Sequence, residues 1–194
     1  VEGTTPRVLT RKKDIEQVHI CLAFPGVEQD DEELYPISVM NNLFGGGMSS
    51  RLFQRIREEM GAAYSVYSFP STYTNCGTFT VYAGTSPETA QQVADELLRQ
   101  IRLLRDGGVT QEEFDMAKEQ LKVSYVLGLE SSSARMSAIG RSKLLRGHAV
   151  DPQDVIRKIE AVTKEDVERV AHRMFGRPFS ASAVGRNIDG LKLL

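Results

Sequence analysis

Histidine and cysteine, the residues that most often hold zinc in proteins, are scarce in this sequence. The 194 residues include three His, two Cys and no Trp. A helical zinc site needs two His four residues apart with a Glu between them, and His19, His148 and His172 do not have that spacing. Cys21 would share a strand face with His19, but two ligands are too few for zinc. The chain alone therefore predicts no metal site and no cofactor.

A strong charge of one sign and long apolar runs are also lacking. The formal net charge of -2 gives no reason to expect nucleic acid or an acidic membrane surface as a partner. No apolar run approaches the roughly 18 residues that a membrane-spanning helix needs. Cys21 and Cys76 form no C-x-x-C motif and suit a reducing compartment, so we expect a cytoplasmic protein. A single disulfide between these two distant residues stays open.

Length and composition indicate one domain. At 194 residues and 41% hydrophobic, the chain is able to bury a substantial core. Residues 1–14, VEGTTPRVLTRKKD, have no initiator Met and no signal-peptide layout, and we interpret them as the remnant of an interdomain linker. Residues 15–194 then form the domain.

Hydrophobic periodicity predicts strands at both ends of a helical middle. The predicted strands are 17–24, 64–69, 78–83 and 179–184. The predicted helices are 32–44, 52–60, a helix from a Ser86 cap to Gly107, a helix begun by a Thr110–Glu113 capping box, 133–145, 152–161 and 164–175. This order favours an α+β fold, with a mostly antiparallel sheet packed on helices, over a doubly wound parallel sheet.

Residues 43–68, LFGGGMSSRLFQRIREEMGAAYSVYS, form the most informative segment. Gly45, Gly46 and Gly47 are able to take positive φ or let another backbone approach closely, which indicates either a plain turn or a contact surface. A phosphate-binding loop is disfavoured because no G-K-[ST] follows the glycines. The next helix carries Arg57, and Tyr64 opens the strand beyond it, so both side chains are expected at one end of the sheet.

Four runs of this sequence together resemble one protein family. GGGMSSRLFQRIRE, GAAYSVYS, GVTQEEFDMAKEQL and AVTKEDVERVAHRMF look like the C-terminal half-domain of the insulinase/pitrilysin-type zinc metallopeptidases, which include the processing peptidases. The resemblance spans nearly the whole chain. It implies a noncatalytic half-domain whose partner is an N-terminal half, either in the same polypeptide or in a separate subunit. That other half would hold zinc on an H-x-x-E-H helix and cleave peptides.

The resemblance also implies roles for two residues. In the family pattern, the arginine matched by Arg57 helps to hold the substrate backbone, and the tyrosine matched by Tyr64 stabilises the oxyanion of the tetrahedral intermediate. Tyr67 competes for the second role, but a regular strand would place it on the opposite face from Tyr64. The glycines 45–47 would then be a flexible, substrate-facing rim.

Two functions remain open from the sequence. The first is the substrate-binding, chamber-closing domain of a zinc endopeptidase. The second is a catalytically inactive scaffold or partner subunit of the same family. Whether the chain alone is an enzyme stays open. A large apolar face on the isolated half could also drive formation of a homodimer.

Overall fold

The computed structural model describes residues 5–193, and these contain one five-stranded sheet. Its strand order is β1-β5-β2-β4-β3. The strands are Val8–Lys12 (β1), Val18–Pro25 (β2), Ala63–Thr72 (β3), Gly77–Thr85 (β4) and Ser180–Gly185 (β5). The β1–β5 pair is parallel, and the other three pairs are antiparallel. This confirms the expected α+β class with a mostly antiparallel sheet.

The N-terminal segment differs from its prediction. Residues 1–14 were expected to be a linker remnant, yet Val8–Lys12 forms the edge strand β1, in register with Ala181 to Gly185 of β5. The five residues of β1 are all exposed, so no buried alternation marks them as a strand in the sequence. Their place in the sheet depends on backbone hydrogen bonds to the far end of the chain.

Six α-helices and one short π-helix complete the fold. They are Leu34–Phe44 (α1), the π-helix Phe53–Glu59, Ala90–Arg105 (α2), Gln111–Gly128 (α3), Ser132–Arg146 (α4), Pro152–Ala161 (α5) and Lys164–Phe175 (α6). Both capping boxes of the described chain begin at threonine, Thr110 for α3 and Thr163 for α6, and Asp151 caps α5. No helix within residues 5–193 is long and apolar enough to cross a bilayer.

The start of α2 lies later than its sequence suggests. Ser86 was expected to cap this helix, but the helix begins at Ala90 after Thr89. The Thr89 N–H donates to the Ser86 carbonyl over 3.3 Å, so the intervening residues form a separate turn. The Ser86 hydroxyl bonds the Thr89 hydroxyl and does not cap the helix.

The core lies between one face of the sheet and the helices. Along β2, buried and half-buried residues alternate, with Ile20 and Leu22 on the buried side. Phe24 and Phe79 both contact Phe175 of α6, with ring centroids 4.9 and 5.7 Å apart. On the opposite face of the sheet, the alternate residues are exposed or half-buried. This face is referred to below as the open face.

Candidate functional site

The glycine loop is tied to the sheet at its first residue. The Ser68 N–H of β3 donates to the Gly45 carbonyl over 3.0 Å, and a Cβ on Gly45 would lie 2.5 Å from the Ser68 nitrogen. Gly45 therefore confirms the expected close approach of another backbone. Gly46 and Gly47 are exposed, and none of these three glycines takes positive φ. The loop is thus a fixed corner followed by an exposed rim.

The serines after the loop do not cap the next helix, although serine is a favoured N-cap residue. The Ser50 hydroxyl donates to the Gly47 carbonyl over 2.6 Å, and it is therefore committed to closing the loop. The Ser49 hydroxyl bonds the Gln120 side chain of α3 over 3.2 Å. Both serines fasten the loop and leave the helix start without a side-chain cap.

The helix that carries Arg57 is a π-helix, although its apolar spacing predicts an α-helix. The Met60 N–H donates to the Arg55 carbonyl, and the Ala62 N–H donates to the Ile56 carbonyl. Single π-turns hold an extra residue and occur often at functional sites. Ile56 is fully buried, which anchors the helix, whereas Arg57 is exposed.

Three arginines lie on this segment, and their surroundings differ. Arg51 forms a two-pronged ion pair with Glu113, in which each nitrogen-to-oxygen distance is 2.6 Å. Arg55 pairs with Glu59 at 2.5 Å and with Glu96 at 3.2 Å.

Arg57 differs from these two neighbours. Within residues 5–193 it forms no ion pair, and its guanidinium lies 4.9 Å from the centre of the Phe53 ring. Arg57 therefore keeps its hydrogen-bond donors available.

The turn between Arg57 and Tyr64 is firmly fixed. Gly61 has a φ of 58°, a left-handed conformation that favours glycine. The Ala62 carbonyl then accepts hydrogen bonds from the hydroxyls of Thr85 and Thr89. Because Thr85 is buried, this contact sets where β3 begins.

Tyr64 is the extra residue of a β-bulge. Ala63 pairs with Thr85 and Ser65 pairs with Gly84, which leaves Tyr64 without a partner on β4. A bulge redirects a side chain, and such bulges are common beside active sites. The Tyr64 side chain is 61% exposed and Tyr67 is 43% exposed. The expectation of opposite faces assumed a regular strand, and the bulge removes that condition at Tyr64.

Aromatic side chains continue from this point across the open face. Tyr67 contacts Tyr82 of β4, with ring centroids 4.8 Å apart. The Tyr82 hydroxyl lies 2.7 Å from Nδ1 of His19 on β2. Alternation along each strand could have placed these residues on one face. The alternating runs of β3 and β4 flank a short polar loop, which predicts that they pair, but the pairing of β2 with β4 cannot be deduced from local sequence.

The histidines do not form a zinc site. His19 bonds Tyr82, His148 lies 3.1 Å from the Arg146 carbonyl, and His172 lies 3.3 Å from the Arg105 carbonyl. Within residues 5–193, no group of three or more His, Cys, Asp or Glu side chains is able to hold a metal ion. The residues present therefore do not fit a resident zinc. Cys21 and Cys76 are both free thiols.

The sheet, covered by helices on one face only, defines the chain as an α+β domain of two layers. Residues 1–121 match the family model described as the peptidase M16 inactive domain. The chain belongs to this family, which confirms the resemblance seen in the sequence. It is the inactive, C-terminal type of domain found in a family of zinc proteases.

Two curated relatives carry zinc protease names. The chain is 40% identical to the uncharacterized zinc protease YmxG of Bacillus subtilis over 176 residues. This matched region covers 91% of the chain and 43% of YmxG. The chain is 42% identical over 170 residues to the uncharacterized zinc protease SCO5738 of Streptomyces coelicolor, covering 88% of the chain and 37% of that protein. The chain thus spans less than half the length of these relatives.

Solved structures support the fold. The peptidase M16 inactive domain from Pseudomonas fluorescens superposes with a TM-score of 0.83 at 23% identity, covering 93% of the chain and 44% of that structure. A chain of complex III2 from Candida albicans gives 0.84 at 20% identity, covering 97% and 47%. At these identities the likeness concerns the fold alone.

Proposed function

We propose that this chain is the substrate-binding, chamber-closing domain of a zinc-dependent endopeptidase, and that it completes an active site whose zinc lies in another half. The observation that carries the proposal is the β-bulge at Tyr64. It leaves a phenol 61% exposed at the end of the sheet, directly after a turn fixed by Gly61 and the Ala62 carbonyl.

Tyr64 would act on the reacting carbonyl of the peptide. A phenol is a neutral donor that supplies one hydrogen bond where negative charge develops. A donor aimed at that position stabilises the transition state more than the substrate, and loss of one such donor costs roughly 10²–10³ in turnover. The bulge supports this role because it holds the Tyr64 ring away from the packed side of the sheet.

Arg57 would hold the substrate backbone beside Tyr64. Its guanidinium offers five N–H donors in a planar fork, which suits peptide carbonyl groups. Arg51 and Arg55 are engaged by carboxylates, so their donors are largely used within the domain. The exposed Gly46 and Gly47 would form the rim over which the peptide passes.

The test uses the complete protein, with its zinc half, and measures peptide hydrolysis for matched substitutions. Tyr64→Phe removes one hydroxyl and should lower kcat roughly 10²-fold with little change in KM. Tyr67→Phe, on the same strand and also exposed, is the matched control and should keep near-normal turnover. Arg57→Gln should mainly raise KM, whereas Arg102→Gln, at an exposed site on α2, should not.

Two results would reject this assignment. Equal losses for Tyr64→Phe and Tyr67→Phe would show that the two hydroxyls have no separate roles. A zinc-loaded complete protein that cleaves no peptide would instead favour the inactive scaffold or partner subunit.

A further inference from the structure

A cavity of about 610 Å³ lies among α1, α3, α4 and α5. Its volume falls in the range of pockets that hold small ligands, roughly 300–1,000 Å³. The cavity is mainly apolar and is lined by residues that include Leu121, Tyr125, Leu129, Ile139, Val155 and Ile159. The Arg57, Tyr64 and glycine-loop residues do not line it, so it goes beyond the function proposed above.

The packing of the helices leaves this apolar lining partly exposed to solvent. All 15 residues of α4 are described, and none of them is buried. Ile139 of α4 is 52% exposed although it lines the cavity. Leu121 and Tyr125 on the facing helix α3, and Leu129 directly after it, are only half-buried. An occupant would remove this apolar surface from water at a gain of about 25 cal/mol per Å².

The charged side chains that line the cavity are all arginines. Arg135, Arg141 and Arg146 line it, and none of its described lining residues is Asp or Glu. Arg146 is already used, since it pairs with Asp30 at 2.8 Å and donates to the Gln29 carbonyl at 2.9 Å. Within residues 5–193, the side chains of Arg135 and Arg141 form no ion pair or hydrogen bond.

Two further polar groups at the cavity are suited to a ligand. Gln29 Oε1 is buried and has no hydrogen-bond partner among the described residues, so it is able to accept a hydrogen bond from a donor on the ligand, such as a peptide N–H, and it does not bind the acidic group. Burial raises the pKa of the Tyr125 phenol, with a smaller contribution from the nearby Tyr35 and Asp151, so Tyr125 stays neutral and is able to donate.

We propose that this cavity binds an amphipathic anion: an apolar chain lies against Leu121, Leu129 and Ile139, and an acidic group binds Arg135 and Arg141. Charge complementarity carries the choice of ligand, because Arg135 and Arg141 line the cavity and form no ion pair among the described residues, and unpaired cations favour an anion. A fatty acid and the free C-terminus of an apolar peptide share this chemistry. Charge-assisted hydrogen bonds from arginine to a carboxylate are roughly twice as strong as neutral ones.

The test is calorimetric titration of the complete protein with dodecanoate below its micelle concentration. Dodecanol has the same chain without the charge, and butyrate has the charge with a short chain. Both should bind at least about tenfold more weakly than dodecanoate. An apolar hexapeptide with a free C-terminus, compared with its amide, distinguishes the peptide source from the fatty acid. Binding of either acid supports the site.

Matched variants locate the site. The double variant Arg135→Gln/Arg141→Gln should weaken dodecanoate binding at least about tenfold, and Ala138→Trp, on the cavity wall of α4, should do the same by filling space. Leu144→Ala and Arg102→Gln are controls for adsorption to apolar or cationic surface, because Leu144 is 86% exposed and neither residue lines the cavity. Circular dichroism confirms that each variant folds.

Three outcomes would overturn the proposal. The first is undetectable binding to the complete protein, as expected if its other half fills the cavity. The second is equal affinity for dodecanoate and dodecanol. The third is an affinity for dodecanoate that falls in Leu144→Ala but is unchanged in Arg135→Gln/Arg141→Gln and in Ala138→Trp.

Discussion

The Ser68 N–H and the Gly45 carbonyl join β3 to the glycine loop through a 3.0 Å hydrogen bond. A second bond, from the Ser68 hydroxyl to the Asn41 side chain at 2.8 Å, ties the same strand residue to α1. Ser68 is buried, so both bonds are shielded from water. The loop therefore enters the site from a fixed point on the sheet.

Gly45→Ala should destabilise the domain by about 1–3 kcal/mol, because the new methyl group would meet the Ser68 backbone at 2.5 Å and force a shift. Gly47→Ala, two residues away, is the matched control. A Cβ on Gly47 would meet nothing within 4 Å, and its φ is not positive, so the change should stay within about 0.5 kcal/mol. Urea unfolding measures both values. Equal losses of stability for the two variants would show that the close contact with Ser68 does not exclude a side chain at position 45.

The protein should lose free energy of unfolding as the pH falls from 4.5 towards 2, because the contribution of Glu96 is lost over this range. Hydrogen bonds from Arg99, Gln100 and Arg55 hold the pKa of Glu96 at about 2, against burial, which raises it. The folded pKa is thus below the ordinary value of 4.5, so the contribution is complete above pH 4.5 and is lost as the pH falls towards 2. Because the arginines are partly exposed, we expect about 1–2 kcal/mol.

The comparison is between wild type and Glu96→Gln, unfolded in urea at pH 7, 4 and 3. The difference in unfolding free energy should shrink as the pH falls. Glu59→Gln is the control, because Glu59 pairs with the same Arg55 but has a side chain that is 59% exposed. Its effect should stay below about 1 kcal/mol. A pH-independent difference for Glu96→Gln would contradict the lowered pKa.

The pair formed by His19 and Tyr82 should stabilise the open face. Its 2.7 Å hydrogen bond is partly buried, so Tyr82→Phe should cost about 0.5–1.5 kcal/mol. A double-mutant cycle with His19→Ala should give a coupling energy of at least about 0.5 kcal/mol. Tyr73→Phe, at a 59% exposed turn residue, provides the neutral control. Additive effects of the two changes would mean that the bond contributes nothing measurable.

The two threonine caps should contribute independently. Thr110 and Thr163 each accept from the N–H of the acidic residue three positions later, over 3.2 Å, and that residue bonds back to the threonine N–H. Either Thr→Ala change should cost about 1 kcal/mol. The caps lie on different helices, so the double variant should show the sum within about 0.5 kcal/mol in thermal or urea unfolding. Thr74→Ala, in the exposed turn between β3 and β4, should have little effect.

Elements with local signals were predictable from the sequence. The helices α5 and α6 run from Pro152 to Ala161 and from Lys164 to Phe175, as the sequence predicts, because their caps at Asp151 and Thr163 mark where they start. β2 and β4 follow from alternation and from their turn residues. These signals depend on neighbours within a few positions of the chain.

Features set by distant contacts could not be predicted in the same way. The strand β1 is exposed and pairs with β5 more than 170 residues later, so nothing local identifies it. The bulge at Tyr64 is visible only in the register between β3 and β4. The cavity behind α4 arises from the packing of four helices. For Arg57 and Tyr64, the sequence predicted two side chains at one end of the sheet on either side of a turn. The structure adds the exposure of both residues and the bulge at Tyr64.

The π-helix has a consequence for comparison of this chain with other sequences. A π-turn contains one residue more than the α-helical turn that it replaces. A homologue could lose one residue within 53–59 and relax to an α-helix while Leu52 and β3 keep their places. If the lost residue were 58 or 59, the seven-residue interval from Arg57 to Tyr64 would become six. An alignment that forbids a gap here would pair the wrong residues and would miss the arginine that corresponds to Arg57.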